Sequence, residues 1–337
     1  YVEIENEFKI EKKIDIKLSS DTCIGVANSM SIAQKLFLKT FLEIEPDIVV
    51  VLGDRYEIFS AAIAAMITKI PIAHIHGGEI TEGSLDDCMR HCITKMSFLH
   101  FVASEEYYKR VIQLGECPSR VFNVGGLGVE NVKKLKLLSR GDFEKSIKFK
   151  LNKKNILITF HPVTLENNTS KKSFQELLNA IECLSDTNII FTKTNSDIDG
   201  KVINEMIDKF TKLNPKTSIG FKSLGHLRYL SALQFVDIVL GNSSSGLMEA
   251  PSFKIATINI GTRQKGRIRA SSVIDCKPKK KYIKEAIERA YSKQFQKSLK
   301  NAKNPYDKGS SSKKIVNILK NFQIPKILTK EFFNIKF

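Results

Sequence analysis

Short runs of apolar and β-branched residues recur along the chain. Each is followed by a stretch whose apolar positions have helical spacing, and this alternation predicts parallel sheets built from βα units. The expected strands are "DIVVVLG" (47–53), "IPIAHI" (70–75), "LHFVAS" (99–104), "RVFNVG" (120–125), "NILITF" (155–160), "IIFTK" (189–193), "VDIVLG" (236–241) and "KIATINIG" (254–261). Patterns such as "EIFSAAIAAMITK" (57–69) and "SFQELLNAIECLS" (173–185) read as helices between them. The lysine-rich segment "SRGDFEKSIKFKLNKKN" (139–155) separates two such series and places a boundary near 150. The expected organisation is an N-terminal domain over 1–150, a second over 151–303, and a closing helix and tail over 304–337. Both domains are expected to be α/β and doubly wound.

Ligands of open parallel sheets bind beyond the carboxyl ends of the strands. Those ends here carry "GDR", "HGGE", "FHP", "GNSSSG" and "GTRQ". Asp54 follows a buried strand and a glycine turn, where a carboxylate either handles a proton or caps the next helix. In "IAHIHGGE", the period of a strand puts His74 and His76 on one face, with Glu79 beyond Gly77-Gly78. A metal pair would need a third ligand at suitable spacing and none is evident. The expectation is a structural His74, with His76 and Glu79 facing the cleft. Ser84 opens a helix with Asp86 and Asp87 in its first turn, and the spacing stacks Arg90 on Asp86 and His91 on Asp87. His161 stands at a strand end before Pro162, where the chain must leave the strand and a lone histidine is more often structural.

"GNSSSGLMEAPS" is the strongest local signal. A buried strand ends in Gly241-Asn242 and hands three serines to a helix N-terminus, which suits a phosphate, while Glu249 can reach diol hydroxyls. Neither GxxxxGK[ST] nor GxGxxG occurs, which argues against ATP hydrolysis and a dinucleotide oxidoreductase. Arg263, Lys265 and Arg267 follow the next strand and would offset a diphosphate's charge.

Composition narrows the classes. The chain has 337 residues, 42% hydrophobic and 26% charged, enough for two domains. The net charge of +17 is dispersed in lysines, as in "KKLKLL" and "KPKKKYIKE", without arginine–aromatic interleaving. A solvated surface with one anion-binding cleft explains it better than a nucleic-acid partner. No apolar run approaches the roughly 18 to 20 residues of a membrane span, and no signal-peptide pattern opens the chain. Six scattered cysteines without a CxxC pair read as free buried thiols in a reducing cytoplasm. The chain starts at Tyr1, and "YVEIENEFKIEKKIDIKL" reads as the inside of a fold, so a preceding N-terminal piece is expected.

Taken together, "GDRYE", "HIHGGE", "DDCMRHCITKMS", "FHPVT", "GNSSSGLMEAPS" and "INIGTRQKGR", in this order over nearly the whole chain, resemble the hydrolysing UDP-N-acetylglucosamine 2-epimerases of sialic-acid biosynthesis. The resemblance implies a GT-B-like pair of Rossmann-like domains with a cleft between them and the nucleotide held mainly by the second. It implies removal of the C2 proton as the nucleoside diphosphate leaves C1, giving a 2-acetamidoglucal. Hydration would then release N-acetylmannosamine, with no metal or other cofactor. Asp54, His76, Glu79, Asp86, Asp87 and His161 are the implied catalytic set, and Arg90, His91 and Arg263 contact substrate. Asn242, Ser243, Ser244 and Glu249 would hold the nucleotide, with Leu224 and Tyr229 lining its base pocket.

Two departures stand out. Many relatives have a glutamate where this chain has His76, and the family's first strand, with its glycine–arginine phosphate loop, has no counterpart here. Rival expectations are the same chemistry on UDP- or GDP-linked N,N'-diacetylbacillosamine, a GT-B glycosyltransferase, and a non-catalytic nucleotide-sugar sensor. The implied partners are the nucleotide-sugar and further copies of the chain, as a dimer or tetramer.

Overall fold

A computed structural model describes residues 2–5, 7–17, 22–82, 84–163, 169–194, 200–325 and 327–336. Gly83 of the "EGSLDD" stretch and Thr164 of "FHPVT" lie outside the described residues. The chain divides into two compact units. The first comprises Tyr1–Gly78, Cys88–Asn123 and Asn317–Phe337, the second Glu79–Asp87 and Val124–Val316.

The first unit holds a parallel sheet of β1 (Val49–Leu52), β2 (Ile72–Ile75), β3 (Leu99–Val102) and β4 (Val121–Asn123), in that spatial order. Every residue of β2 and β3 is buried, as expected for interior parallel strands. β1 is an edge, with Val50 and Leu52 about half exposed. The helix Tyr56–Ile67 presents Ala62 and Ala65 to the core formed with Val51, Ile72 and Ile93. Its small side chains let the helix lie close on the sheet.

The second unit holds β5 (Lys154–Thr159), β6 (Thr187–Thr192), β7 (Ser218–Phe221), β8 (Ile238–Gly241), β9 (Ala256–Ile260) and β10 (Val273–Cys276). All pair in parallel, in the order β10-β9-β8-β5-β6-β7. The chain winds outward from β5 to β7, returns to place β8 beside β5, and winds out the other way. Strand alternation shows both faces covered. Ile156 and Ile158 of β5 join one core with Phe174, Phe191 and Ile287, while Leu157 joins a second with Phe143, Ile190 and Val239.

All eight expected strands are present, and β7 and β10 are additional. The doubly wound order holds in the second sheet, whereas the first is wound in sequence order. The division of the chain falls at Asn123/Val124 rather than near 150. The lysine-rich segment is no linker, because its helix Arg140–Ile147 buries Phe143 and Ile147 in the second unit's core while its charges point outward. The closing helix is Ser311–Asn321, and the chain beyond it belongs to the first unit. There the Phe322 ring lies 5.9 Å from that of Phe98, and Lys330 reaches Glu116 at 2.7 Å. The cysteines are free but exposed or half-buried, not buried. Cys88 and Cys92 sit one turn apart on the outer side of their helix. Among the described residues no helix is long and apolar enough to cross a membrane.

Candidate functional site

In the second sheet the winding direction reverses between β5 and β8, and such a switch point opens a crevice beyond the strand ends. The two strands pair up to Thr159 and Gly241. Gly241 has φ of 140°, and a Cβ there would sit 1.9 Å from the Thr159 carbonyl oxygen, so only glycine fits. Just beyond them, His161, two residues after Thr159, and Asn242, directly after Gly241, complete a clasp. His161 N–H donates to Asn242 Oδ1 at 2.7 Å, and Asn242 Nδ2 donates back to the His161 carbonyl at 2.8 Å. Asn242, expected at the nucleotide, thus has both side-chain amide atoms engaged by the His161 backbone. His161 itself is buried, with Nδ1 3.0 Å from Thr194 Oγ1, a contact that sets the ring's orientation. Thr194 carries no sequence signal, since it follows its strand without a motif.

Ser243 and Ser244 lie beside the switch point, both partly exposed. The helix they enter, Ser245–Met248, is a single turn followed by the 3-10 turn Ala250–Phe253. A helix dipole therefore adds little here. An anion would be held chiefly by backbone N–H groups and hydroxyls. Glu249 lies one turn on, and a Cβ on Gly128 would come within 2.3 Å of its Oε1, so Gly128 makes room for the carboxylate. Burial pushes the Tyr229 phenol above its ordinary range, with Ser245 and Glu249 alongside. Leu224, expected in a base pocket, is a core residue packed with Phe143 and Leu157. Of the three cations after β9, Arg263 donates to the Asn242 carbonyl at 3.3 Å, joined by the buried Gln264 at 2.9 Å. Lys265 pairs with Glu82 and Arg267 with Glu79, at 2.7 and 2.6 Å.

Those two pairs fold the segment Glu79–Asp87 into the second unit. Glu79 and Arg267 are both nearly inaccessible, a buried ion pair, so Glu79 shapes this segment instead of standing open to a ligand. Asp87 accepts the Thr81 N–H at 2.5 Å, and Asp86 accepts the Ser84 hydroxyl at 3.0 Å.

In the first unit Asp54 follows Gly53 at the end of β1, and Arg90 reaches from the helix Asp86–Met96 to pair with its carboxylate. Arg90 is 2% exposed. Its ion pair with Asp54 spans 36 residues, a partner that helix spacing could not supply. His91 follows it, half-buried. β2 ends at Ile75, and His76 is left-handed with φ of 69°. The strand alternation that would put His74 and His76 on one face therefore stops short of His76. His74 is fully buried, and burial takes its pKa down to about 3. Gly78 must be glycine, since a Cβ would lie 2.5 Å from the Tyr107 carbonyl oxygen, and Arg110 donates to the Gly78 carbonyl at 2.6 Å.

Residues 2–320 match the model of the UDP-N-acetylglucosamine 2-epimerase family. The chain belongs to this family, in its hydrolysing branch. It is 44% identical over 336 residues to the Campylobacter jejuni protein named GDP/UDP-N,N'-diacetylbacillosamine 2-epimerase (hydrolyzing), covering 99% of this chain and 87% of that one. It is 41% identical to the Escherichia coli polysialic acid biosynthesis protein P7, covering 94% and 81%. The solved Neisseria meningitidis UDP-GlcNAc 2-epimerase, bound to UDP-GlcNAc, shares the fold at a TM-score of 0.77 and 20% identity, covering 94% of this epimerase-family chain and 86% of that one. The two α/β units are those of a GT-B-like fold.

Proposed function

We propose that this family member is a hydrolysing 2-epimerase of nucleotide-linked N,N'-diacetylbacillosamine. It releases the nucleoside diphosphate and the free, C2-inverted diacetamido sugar. The observation that carries this choice is the identity with the Campylobacter jejuni protein of that name, sustained over 99% of the chain. N-acetylglucosamine linked to UDP, the expectation from sequence motifs, becomes the second reading, favoured by the family's own description.

In either case a base takes the C2 proton, the C1–O bond breaks as the diphosphate leaves, and a glycal forms. Water oxygen then bonds to C1 while a proton returns to C2 on the opposite face. Asp54, held by Arg90, and His161, oriented by Thr194, are the proposed proton-handling groups. His76, at the left-handed turn, is a third, an imidazole able to take up or give a proton. Ser243, Ser244 and Arg263 would take the diphosphate, Glu249 the ribose, and Tyr229 the base. The commitments of Glu79, Asp86 and Asp87 favour a structural part for them over proton transfer.

The test is incubation with UDP- and GDP-N,N'-diacetylbacillosamine and with UDP-N-acetylglucosamine in deuterated water. Nucleotide release from a diacetamido substrate, with deuterium at C2 of the product, is expected. Release from UDP-N-acetylglucosamine alone would move the assignment to the second reading. Binding without C2 exchange would leave a sensor, and turnover only with an added acceptor would indicate a glycosyltransferase.

A further inference from the structure

We infer that His74 is a positioning residue for the reaction, holding the Gly53–Asp54 turn, and with it the Asp54 carboxylate, in register with Arg90. The inference deepens the proposed function and rests on Asp54 acting there. Its basis is a closed ring of contacts. His74 Nε2 lies 3.1 Å from the Gly53 carbonyl oxygen, which can only accept, so Nε2 carries the proton. Nδ1 is then an acceptor, and Thr94 Oγ1 lies 3.3 Å from it. The same hydroxyl donates to the Arg90 carbonyl at 3.0 Å, so its single proton is shared between that oxygen and Nδ1. Arg90 pairs with Asp54, which is bonded to Gly53, and the ring closes.

The surrounding backbone accommodates this ring. Gly53 is left-handed at φ of 84°, which turns the chain after β1, and its N–H donates to the Ile75 carbonyl at 3.3 Å. A Cβ on Gly77 would lie 3.0 Å from His74 Nδ1 and 3.1 Å from Thr94 Oγ1, so glycine keeps the imidazole and hydroxyl within reach of each other. His74 is completely buried, and burial keeps it neutral at physiological pH, the form in which one nitrogen donates and the other accepts. A packing role alone would need none of this: an apolar side chain of similar volume would fill the space without anchoring the turn.

Three variants test it: His74→Phe, which fills the volume without a donor; His74→Gln, whose amide can still reach the Gly53 carbonyl; and Thr94→Val, which cuts the ring on its other side. On whichever nucleotide sugar the unaltered protein turns over, kcat should fall about 10- to 100-fold in His74→Phe, the loss expected of a displaced catalytic group. KM and UDP affinity should stay within about threefold, because the lost interaction belongs to the transition state. His74→Gln should recover most of kcat, and Thr94→Val should show a smaller loss of the same kind. If His74→Phe does not fold, Thr94→Val and His74→Gln decide. The carboxyl carbon resonance of Asp54, assigned with Asp54→Asn, gives a readout independent of turnover: it should move in His74→Phe and return in His74→Gln. Unchanged kcat and an unmoved resonance in a folded His74→Phe would overturn the inference, as would equal losses in His74→Phe and His74→Gln. If the unaltered protein turns over none of the three sugars, the proposed function falls and the resonance alone decides the positioning.

Discussion

The two units place their candidate functional side chains by different means. In the second, topology does the placing: the reversal between β5 and β8 brings two strand ends together, and a glycine contact with a two-way asparagine clasp locks them. In the first, strands follow in order with no reversal, and a part-buried ion pair with a histidine contact stands in its place. The clasp engages His161 through its backbone and so tolerates exchange of that side chain, whereas a buried polar network is sensitive to each member, because one deletion leaves a partner unsatisfied.

The largest effects should fall on chemistry. Asp54→Asn and His161→Ala should each cut turnover by about 10²–10⁴-fold, or about 3–5 kcal/mol of barrier, with UDP binding by calorimetry much less affected. The contrast between units predicts a further difference: Asp54→Asn should also lower stability, since Arg90 loses its counter-charge in a buried place, while His161→Ala should not to the same degree. Equal stability losses by urea titration would erase the contrast. Gly241→Ala comes next. Its Cβ would overlap the Thr159 carbonyl, and a loss of more than about 3 kcal/mol is expected, read as reduced protection from hydrogen exchange along β5 and β8 with β2 and β3 unaffected.

Acid and alkali should separate the units. A histidine in the unfolded chain binds its proton near 6.5, whereas buried His74 holds off to about 3. Between those values the unfolded state carries more protons, so stability is full above about 6.5 and falls with pH, by at most about 1.4 kcal/mol per pH unit. Burial alone would raise Glu116, but hydrogen bonds from His100, Lys330 and Lys95 outweigh it and leave it at about 2, which adds a loss below about 4.5. Burial pushes the Cys276 thiol of the second unit up from 9 to about 12, so that contribution is present below pH 9 and lost as pH rises through this range. Hydrogen exchange should show the first unit opening first in acid. Simultaneous opening would mean that these groups do not govern either unit. The smallest effect should come from Arg140→Ala on the outer side of the helix Arg140–Ile147: its pair with Glu144 is half exposed, and a loss below about 1 kcal/mol is expected by thermal melting.

The same division explains how far the sequence could be read. The strands it revealed have apolar runs. β7 and β10, which it did not, are the two edges of the second sheet, where only part of each strand is buried: "SIGF" opens on serine and contains a glycine, and "VIDC" is short and carries an exposed aspartate. An edge strand faces solvent and needs no continuous apolar run. The lysines of 139–155 hid an amphipathic helix because charge was read without its apolar stripe. Among the candidate site residues, the serines after β8, His161 and Asp54 are visible because strand-end polarity is local. Thr194 and the anchoring role of His74 were not, because their meaning lies in a partner.

What the sequence determined by itself is the set of strand ends and the chemistry waiting at each, since apolar runs, glycine turns and the polar residues after them are properties of consecutive positions. Only the tertiary structure decided which of those groups meet. Arg90 goes to Asp54, Arg267 to Glu79, and Asn242 to the backbone of His161, across separations of 36, 188 and 81 residues (267 minus 79 for the second). Such pairings follow from strand register and winding order, where a shift of one residue would turn each side chain to the opposite face, and no local pattern encodes them.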